Sequence, residues 1–212
     1  MSHTILHIAT SPMAERSVSR KLAAKTLEAL QAKYPESTVV TRDLAVHPLP
    51  HLDGTILSAF FTPADQRNAA LAAAAVPSDR AIDEIFAADI IVIDAPMWNF
   101  GIPSVLKAWI DHISRAGRTF KYTAMGAQSL LPAGKKAIII SSRGGIYSEG
   151  PAKAMDHQET YLTAILAFIG ITDVSFVRAE GVAMGEEAVK KAMTSADAEI
   201  AHLLGPSSKR AA

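Results

Sequence analysis

The sequence predicts a doubly wound α/β fold, with a five-stranded parallel sheet flanked by helices. Three observations carry that reading. Five short runs rich in β-branched and apolar residues recur along the chain, and amphipathic helical stripes fill the gaps between them. Three of the five runs are nearly continuous in apolar residues rather than alternating, as strands covered by helices on both faces are. One pattern runs through the 212 residues, with no Gly/Ser linker and no internal repeat, so a single domain is expected over 1–204, followed by a loose tail, GPSSKRAA, at 205–212. A chain of this length buries about 70% of its unfolded surface and needs no metal or disulfide staple.

The elements follow in order. Residues 4–10 (TILHIAT) read as the first strand. Val18, Leu22, Ala23, Thr26, Leu27 and Leu30 form one stripe, which predicts a helix over 17–34. Residues 38–42 (TVVTR) are the second strand. The connection to the third strand is longer than a plain crossover requires. It opens on HPLPHLDG (47–54), whose prolines force extended or turn backbone. It then offers two helical pieces, 63–75 and 78–88, separated by Pro77; the AALAAAAV run has high helix propensity and few large side chains. Residues 90–95 (IIVIDA) are the third strand, followed by a stripe of Leu106, Trp109, Ile110 and Ile113. Residues 137–142 (AIIISS) are the fourth, followed by Leu162, Ile165, Leu166 and Ile169 on a helix over 160–170, with Tyr161 and Phe168 about 100° to one flank. Residues 174–179 (VSFVRA) are the fifth, and Val189, Met193, Ala196, Ile200 and Leu203 mark a last helix.

Composition narrows the function. The 21 basic and 21 acidic residues cancel, which argues against a nucleic-acid binder and against a polybasic membrane anchor. It also leaves little charge repulsion between copies. There is no cysteine, hence no disulfide, thiol nucleophile or cysteine-ligated metal, and redox work here needs a bound cofactor. The start lacks a basic segment followed by a long apolar one, and the apolar run near Ile90 to Met97 is broken by Asp94, short of the ~20 residues of a membrane span. A soluble cytoplasmic protein is expected.

In a doubly wound sheet, ligands bind outside the carboxyl ends of the strands. Three loops therefore matter. After the first strand, Ser11, Ser17 and Ser19 surround the start of a helix, where hydroxyls, free amides and the helix dipole suit an anion. Ser17 also reads as an ordinary N-cap. The loop has no glycine, so it is neither a GxGxxG dinucleotide turn nor a GxxxxGK[ST] phosphate loop. After the third strand comes APMWNFGIP, in which Met97, Trp98 and Phe100 suit the plane of an aromatic ligand and Asn99 suits its polar edge; ordinary core packing is the competing reading. After the fourth strand comes SSRGGIY, whose Gly144 and Gly145 allow close backbone approach or serve a plain tight turn. Together the loops describe one pocket with a phosphate end and a flat end, the shape of a mononucleotide such as FMN. His112 reads as a surface or interface polar group, and Asp94 as packed near its strand end rather than as a metal ligand.

The succession SxxxxxSxS, APMWNF, KAWIDHISRAGRTFKYT, SSRGGI and FIGITDVSFVRAEG resembles the FMN-dependent NADH:azoreductase family, which belongs to the flavodoxin-like quinone reductases. The match runs from the first strand to Gly181. The resemblance implies a flavodoxin-like sheet and a homodimer. It implies that Ser11, Ser17 and Ser19, with the backbone at Val18, hold the FMN phosphate. Met97, Trp98, Asn99 and Phe100 would edge the isoalloxazine, and Ser142, Arg143, Gly144 and Gly145 would form the second flavin loop. Phe120, Tyr122 and Phe168 would line the substrate site, some across the dimer interface. The family usually carries tyrosine where this chain has Trp98, a lost hydroxyl and a larger ring that bear on substrate preference. The implied reaction is ping-pong: NADH or NADPH reduces the flavin, then an azo compound or quinone takes the hydride in the same slot. No side chain acts as nucleophile, and amides at Gly144 and Gly145 stabilise charge on the reduced flavin.

Three other readings stand beside this one. A flavodoxin-type electron carrier is usually shorter and acidic. A receiver-type signalling domain needs clustered aspartates at strand ends, and the first strand ends in Ala-Thr-Ser. A quinone reductase with incidental azo activity is not separable from an azoreductase by sequence.

Overall fold

The computed structural model describes residues 2–205, so the tail expected over 205–212 lies, beyond Gly205, outside the described residues. The five expected strands form β1 (Thr4–Ala9), β2 (Thr38–Asp43), β3 (Ile90–Pro96), β6 (Lys136–Arg143) and β7 (Asp173–Glu180). They pair in parallel in the order β2-β1-β3-β6-β7. The chain leaves β1 toward one edge and returns past it to β3, so the reversal of strand order falls between β1 and β3. Helices α1 (Val18–Lys33), α3 (Ala69–Ala87), α4 (Ser104–Ile113), α5 (Glu159–Phe168) and α6 (Glu186–Leu204) cover the sheet.

Alternation along each strand divides the core in two. Leu6, Ile8, Ile91, Ile93 and Ile139 face α3, α4 and α5, against Ile82, Ile85, Trp109, Ile113, Leu162 and Leu166. Ile5, Val92, Ile138 and Ile140 face α1 and α6, against Leu22, Leu30, Ala196 and Ile200. Because β3 and β6 are covered on both sides, nearly all their residues are buried, which is why Ile90 to Ile93 and Ala137 to Ile140 read as continuous apolar runs. Each buried Ile or Leu contributes about 1.5–3 kcal/mol.

Three features differ from the sequence reading. First, the helix expected as two pieces around Pro77 is one. Asn68 caps α3 by accepting from the Leu71 amide (2.9 Å), and the helix runs through Pro77 to Ala87. One lost backbone hydrogen bond is outweighed by the alanine-rich turns before it and the packing of Ser78, Ala81, Ile82 and Ile85 after it. Residues 63–68 stay outside that helix. Second, the long connection holds an additional helix, α2 (Gly54–Phe61), capped by Asp53, which accepts from the Ile56 amide at 2.8 Å. Third, β4 (Phe120–Thr123) and β5 (Gly126–Ser129) form an antiparallel hairpin apart from the main sheet.

The connection is fastened to α4. The Arg115 guanidinium lies 4.2 Å over the Phe60 ring. His112, read from sequence as a surface or interface group, is fully buried instead, with its Nε2 2.9 Å from the Pro50 carbonyl. Burial pushes its pKa below the ordinary 6.5, leaving a neutral ring that donates through Nε2. The preceding segment, not solvent, supplies its partner.

Candidate functional site

The loop leaving β1 is drawn against β3. The buried Asp94 carboxylate accepts from the amides of Thr10 (2.7 Å) and Ser11 (3.2 Å), and the Thr10 hydroxyl donates to the Asp94 carbonyl (2.6 Å). The chain then makes a 3-10 turn over Ala14–Arg16 and enters α1. Ser17 caps that helix in extended conformation by accepting from the Arg20 amide (3.2 Å), so the N-cap reading holds. Its hydroxyl also lies 3.0 Å from that of Ser19. Ser11, Ser17 and Ser19 are all buried, and Val18 is half-buried. The Val18 and Ser19 amides are the first two of the helix and have no acceptor within it. Hydroxyls and amides thus gather at the positive end of a helix dipole, a site for an anion.

The loop leaving β3 is a tight turn. Trp98 and Gly101 exchange backbone hydrogen bonds of 3.0 Å in both directions. Asn99 and Phe100 between them sit at φ 47° and 67°, the left-handed region that side chains other than glycine rarely adopt. Phe100 in particular is held there at a conformational cost, and such strain gathers at binding sites. The turn leaves Trp98 49% exposed and Phe100 38% exposed, with the Asn99 side chain free at the tip. Core packing therefore does not account for these residues.

The loop leaving β6 lies beside it. The Met97 amide donates to the Ser142 carbonyl (2.8 Å), extending the Pro96–Ser142 register of the sheet. Neither Gly144 nor Gly145 uses a positive φ. Their carbonyls accept from Ala183 and Gly181, while their amides donate to no acceptor among the described residues. A Cβ on Gly145 would stand 3.3 Å from the Tyr147 ring. The Arg143 guanidinium turns inward, where it is fully buried among Asp156, Glu159 and Glu180 and donates to the Ser141 hydroxyl. Its side chain is committed to holding the loop. Glu180 also accepts from the Tyr147 and Ser148 amides (2.7 and 2.9 Å) and from the Ser148 hydroxyl. Burial works to raise the Glu180 carboxyl, but the Ser148 and Tyr147 bonds and Arg143 outweigh it and hold it below the usual carboxylate range.

The three loops therefore stand side by side at the carboxyl ends of β1, β3 and β6. A cleft of about 710 Å³ is lined by Thr10, Pro12, His51, Trp98, Asn99 and Lys107; Ser11, Ser17, Ser19, Gly144 and Gly145 do not line it. Phe120, Tyr122 and Phe168 form a separate cluster. The Phe120 ring stacks edgewise on Phe168 (centroids 4.6 Å) and on Tyr122 (5.4 Å). Phe120 and Tyr122 line a 260 Å³ pocket with Leu57, Phe60 and Phe61, outside the larger cleft. Tyr161 and Phe168, expected to share a flank, part company: Tyr161 packs on the core, and Phe168 joins the hairpin. Sequence reasoning did not find Arg20, Glu180 or the carboxylate role of Asp94. Only Asp94 carried a signal, a lone acid interrupting an apolar strand.

A five-stranded parallel sheet with its loops gathered at the strand-order reversal defines the flavodoxin-like class, and the Flavodoxin_2 family model, of flavodoxin-like fold, matches residues 3–204. The chain belongs to this family. It is 52% identical over 200 residues to an FMN-dependent NADH:quinone oxidoreductase of Herminiimonas arsenicoxydans, covering 94% of this chain and 98% of that one. Among solved structures it is similar to an azoreductase of Bacillus anthracis str. Sterne (TM-score 0.87, 31% identity, 97% and 99% covered). An FMN-dependent NADH-azoreductase of Bacillus anthracis str. Ames Ancestor, solved in complex with FMN, is similar with a TM-score of 0.83 at 27% identity, covering 96% and 100%.

Proposed function

We propose that this chain is an FMN-dependent NADH:quinone oxidoreductase that also reduces azo compounds, carried on one domain over 1–204 and acting in the cytoplasm as a homodimer. The observation that carries the reading is the junction of the three loops, where Asp94 draws in the loop of β1 and Met97 joins the loop of β6. The residues suit FMN. Ser11, Ser17, Ser19 and the Val18 amide would take the phosphate at the start of α1. The exposed turn of Met97, Trp98, Asn99 and Phe100 would meet the ring system, with the Asn99 amide at its polar edge. Ser142, the Arg143 main chain, and the uncommitted amides of Gly144 and Gly145 would face its pyrimidine side.

Held by these residues, FMN would supply two-electron hydride transfer between NADH or NADPH and a quinone or azo acceptor. The chain's own work is to orient the ring, keep water from it and hold negative charge with fixed amide dipoles. The Trp98 ring offers a flat apolar surface to an aromatic acceptor. Phe120, Tyr122 and Phe168 would complete the acceptor slot from a second copy. Phe61, Tyr122 and Met125, at 82, 74 and 96% exposure, supply an apolar surface for that copy. No described helix is long and apolar enough to cross a membrane.

The experiment is steady-state turnover by the purified protein with NADH and either benzoquinone or methyl red. Oxidation of NADH that requires the acceptor supports the enzyme. A flavin-bearing protein that does not oxidise NADH is instead an electron carrier, and the ratio of kcat/KM for the two acceptors separates a quinone reductase from an azoreductase.

A further inference from the structure

We propose that Asp94 and Arg20 are positioning residues that grip the Ser11 peptide from its two ends and so aim the Ser11 hydroxyl at the FMN phosphate; this rests on the FMN reading given above. Asp94 takes the amide end. Its Oδ1 accepts from both Thr10 and Ser11. Arg20 takes the carbonyl end, with Nε donating to the Ser11 oxygen at 2.8 Å. The rest of its guanidinium is forked onto Asp43 at the end of β2 (2.8 and 2.9 Å), which fixes its plane.

A strand exit does not require a buried carboxylate. Asp94 has no exposed surface, and burying its charge is costly unless the charge is paired or hydrogen-bonded. The neighbouring His7 Nε2 lies 3.4 Å from Oδ2 without hydrogen-bond geometry, so that oxygen has no hydrogen-bond partner among the described residues. The charge is therefore spent on two amides of the loop. Those amides are the ones an incoming phosphate would otherwise draw toward itself. With them turned inward, Ser11 is left to donate its hydroxyl proton, its oxygen accepting from the Met13 amide (3.4 Å), alongside Ser17, Ser19 and the first amides of α1. The clamp thus sets which groups meet the phosphate, while Arg20 and the Asp94 carboxylate stand outside the cleft lined by Trp98 and Asn99.

The test measures dissociation constants of the full-length apoprotein for FMN and for riboflavin, which lacks the phosphate, by quenching of flavin fluorescence. In D94A, FMN affinity is expected to fall roughly ten- to hundredfold, the range for losing hydrogen bonds to a charged group. Riboflavin affinity is expected to fall far less, by about twofold, since only Thr10 and Pro12 of the loop reach the cleft that Trp98 and Asn99 line. D94N keeps an acceptor oxygen for the amides and is expected to recover much of the FMN affinity. R20A is expected to lower the FMN-to-riboflavin preference in the same direction, and it decides the matter should D94A fail to fold. Equal losses for both ligands, or no change in their ratio in D94A and R20A, would overturn the clamp. A wild-type protein that binds neither ligand would overturn the FMN reading instead.

Discussion

The Met97 amide donates to the Ser142 carbonyl at 2.8 Å, which joins the start of the turn after β3 to the end of β6. Phe100, at φ 67°, meets the ring of Tyr147 from the second loop edgewise (centroids 6.1 Å), so the turn after β3 rests on two strands rather than one.

The tip of that turn offers a direct probe. Asn99 sits at φ 47°, so Asn99→Gly removes its amide while easing the backbone, whereas Asn99→Ala removes the amide and adds strain. Both variants are expected to weaken FMN binding by about 1–3 kcal/mol, the cost of an unmet polar edge, with alanine the worse. Titration of apoprotein with FMN checks this. An unchanged Kd in the glycine variant would contradict the placement of the loop.

Glu180 carries the opposite side. Glu180→Gln keeps the shape but removes the charge opposite Arg143, and it is expected to lower FMN affinity and the melting temperature together. The folded Glu180 carboxyl lies below its ordinary 4.5, so its stabilisation is fully present above that value and is lost as pH falls through the folded one. Acid unfolding of the wild type is expected to be steeper than that of the variant over that window.

His112 titrates in the other sense. Its pKa is depressed in the fold, so the unfolded chain takes up the proton first. Stability is full above the ordinary value of 6.5 and declines as pH falls from there toward the folded value. His112→Gln retains a donor for the Pro50 carbonyl and does not titrate. Melting temperatures taken from pH 7 to 5 are expected to fall in the wild type more than in this variant; parallel curves would contradict the assignment.

Gly170 tests the seat of the hairpin. It lies at φ +95°, and a Cβ there would stand 2.2 Å from the Ser129 hydroxyl, which itself donates to the Ile169 carbonyl. Gly170→Ala combines left-handed strain with overpacking and is expected to destabilise by about 2 kcal/mol or more. Urea unfolding checks it, and a change below half of that would show that β5 yields easily.

The proposed second copy is tested by charge. Phe61→Glu combined with Met125→Glu places acids on the most exposed apolar side chains. Sedimentation is expected to show a monomer, with acceptor turnover lost and FMN still bound. A monomer of full activity would contradict an acceptor slot shared between copies.

The sheet was legible because β3 is apolar at nearly every position, β6 carries the run Ala137 to Ile140, and α1, α4 and α5 carry clear stripes. The start of α1 was legible too, since Ser17 caps it as its residue type suggests. What escaped was set by tertiary contact. The β4 strand FKYT has one buried residue and polar neighbours, so no periodicity marks it, and its pairing with GAQS rests on a turn closed at Gly126. Pro77 read as a break because its neighbours' packing against the sheet was not visible in the chain. The resemblance placed Arg143 in the second flavin loop, but the burial of its guanidinium could not be read, because its three carboxylate partners lie 13, 16 and 37 residues further on, at Asp156, Glu159 and Glu180.

The most direct test of the account is an anaerobic titration of the purified protein, followed by its visible spectrum. The account predicts one FMN per chain, a flavin band bleached by a stoichiometric amount of NADH, and recovery of that band on adding a quinone. A protein that retains no flavin, or a flavin that NADH leaves oxidised, would contradict it.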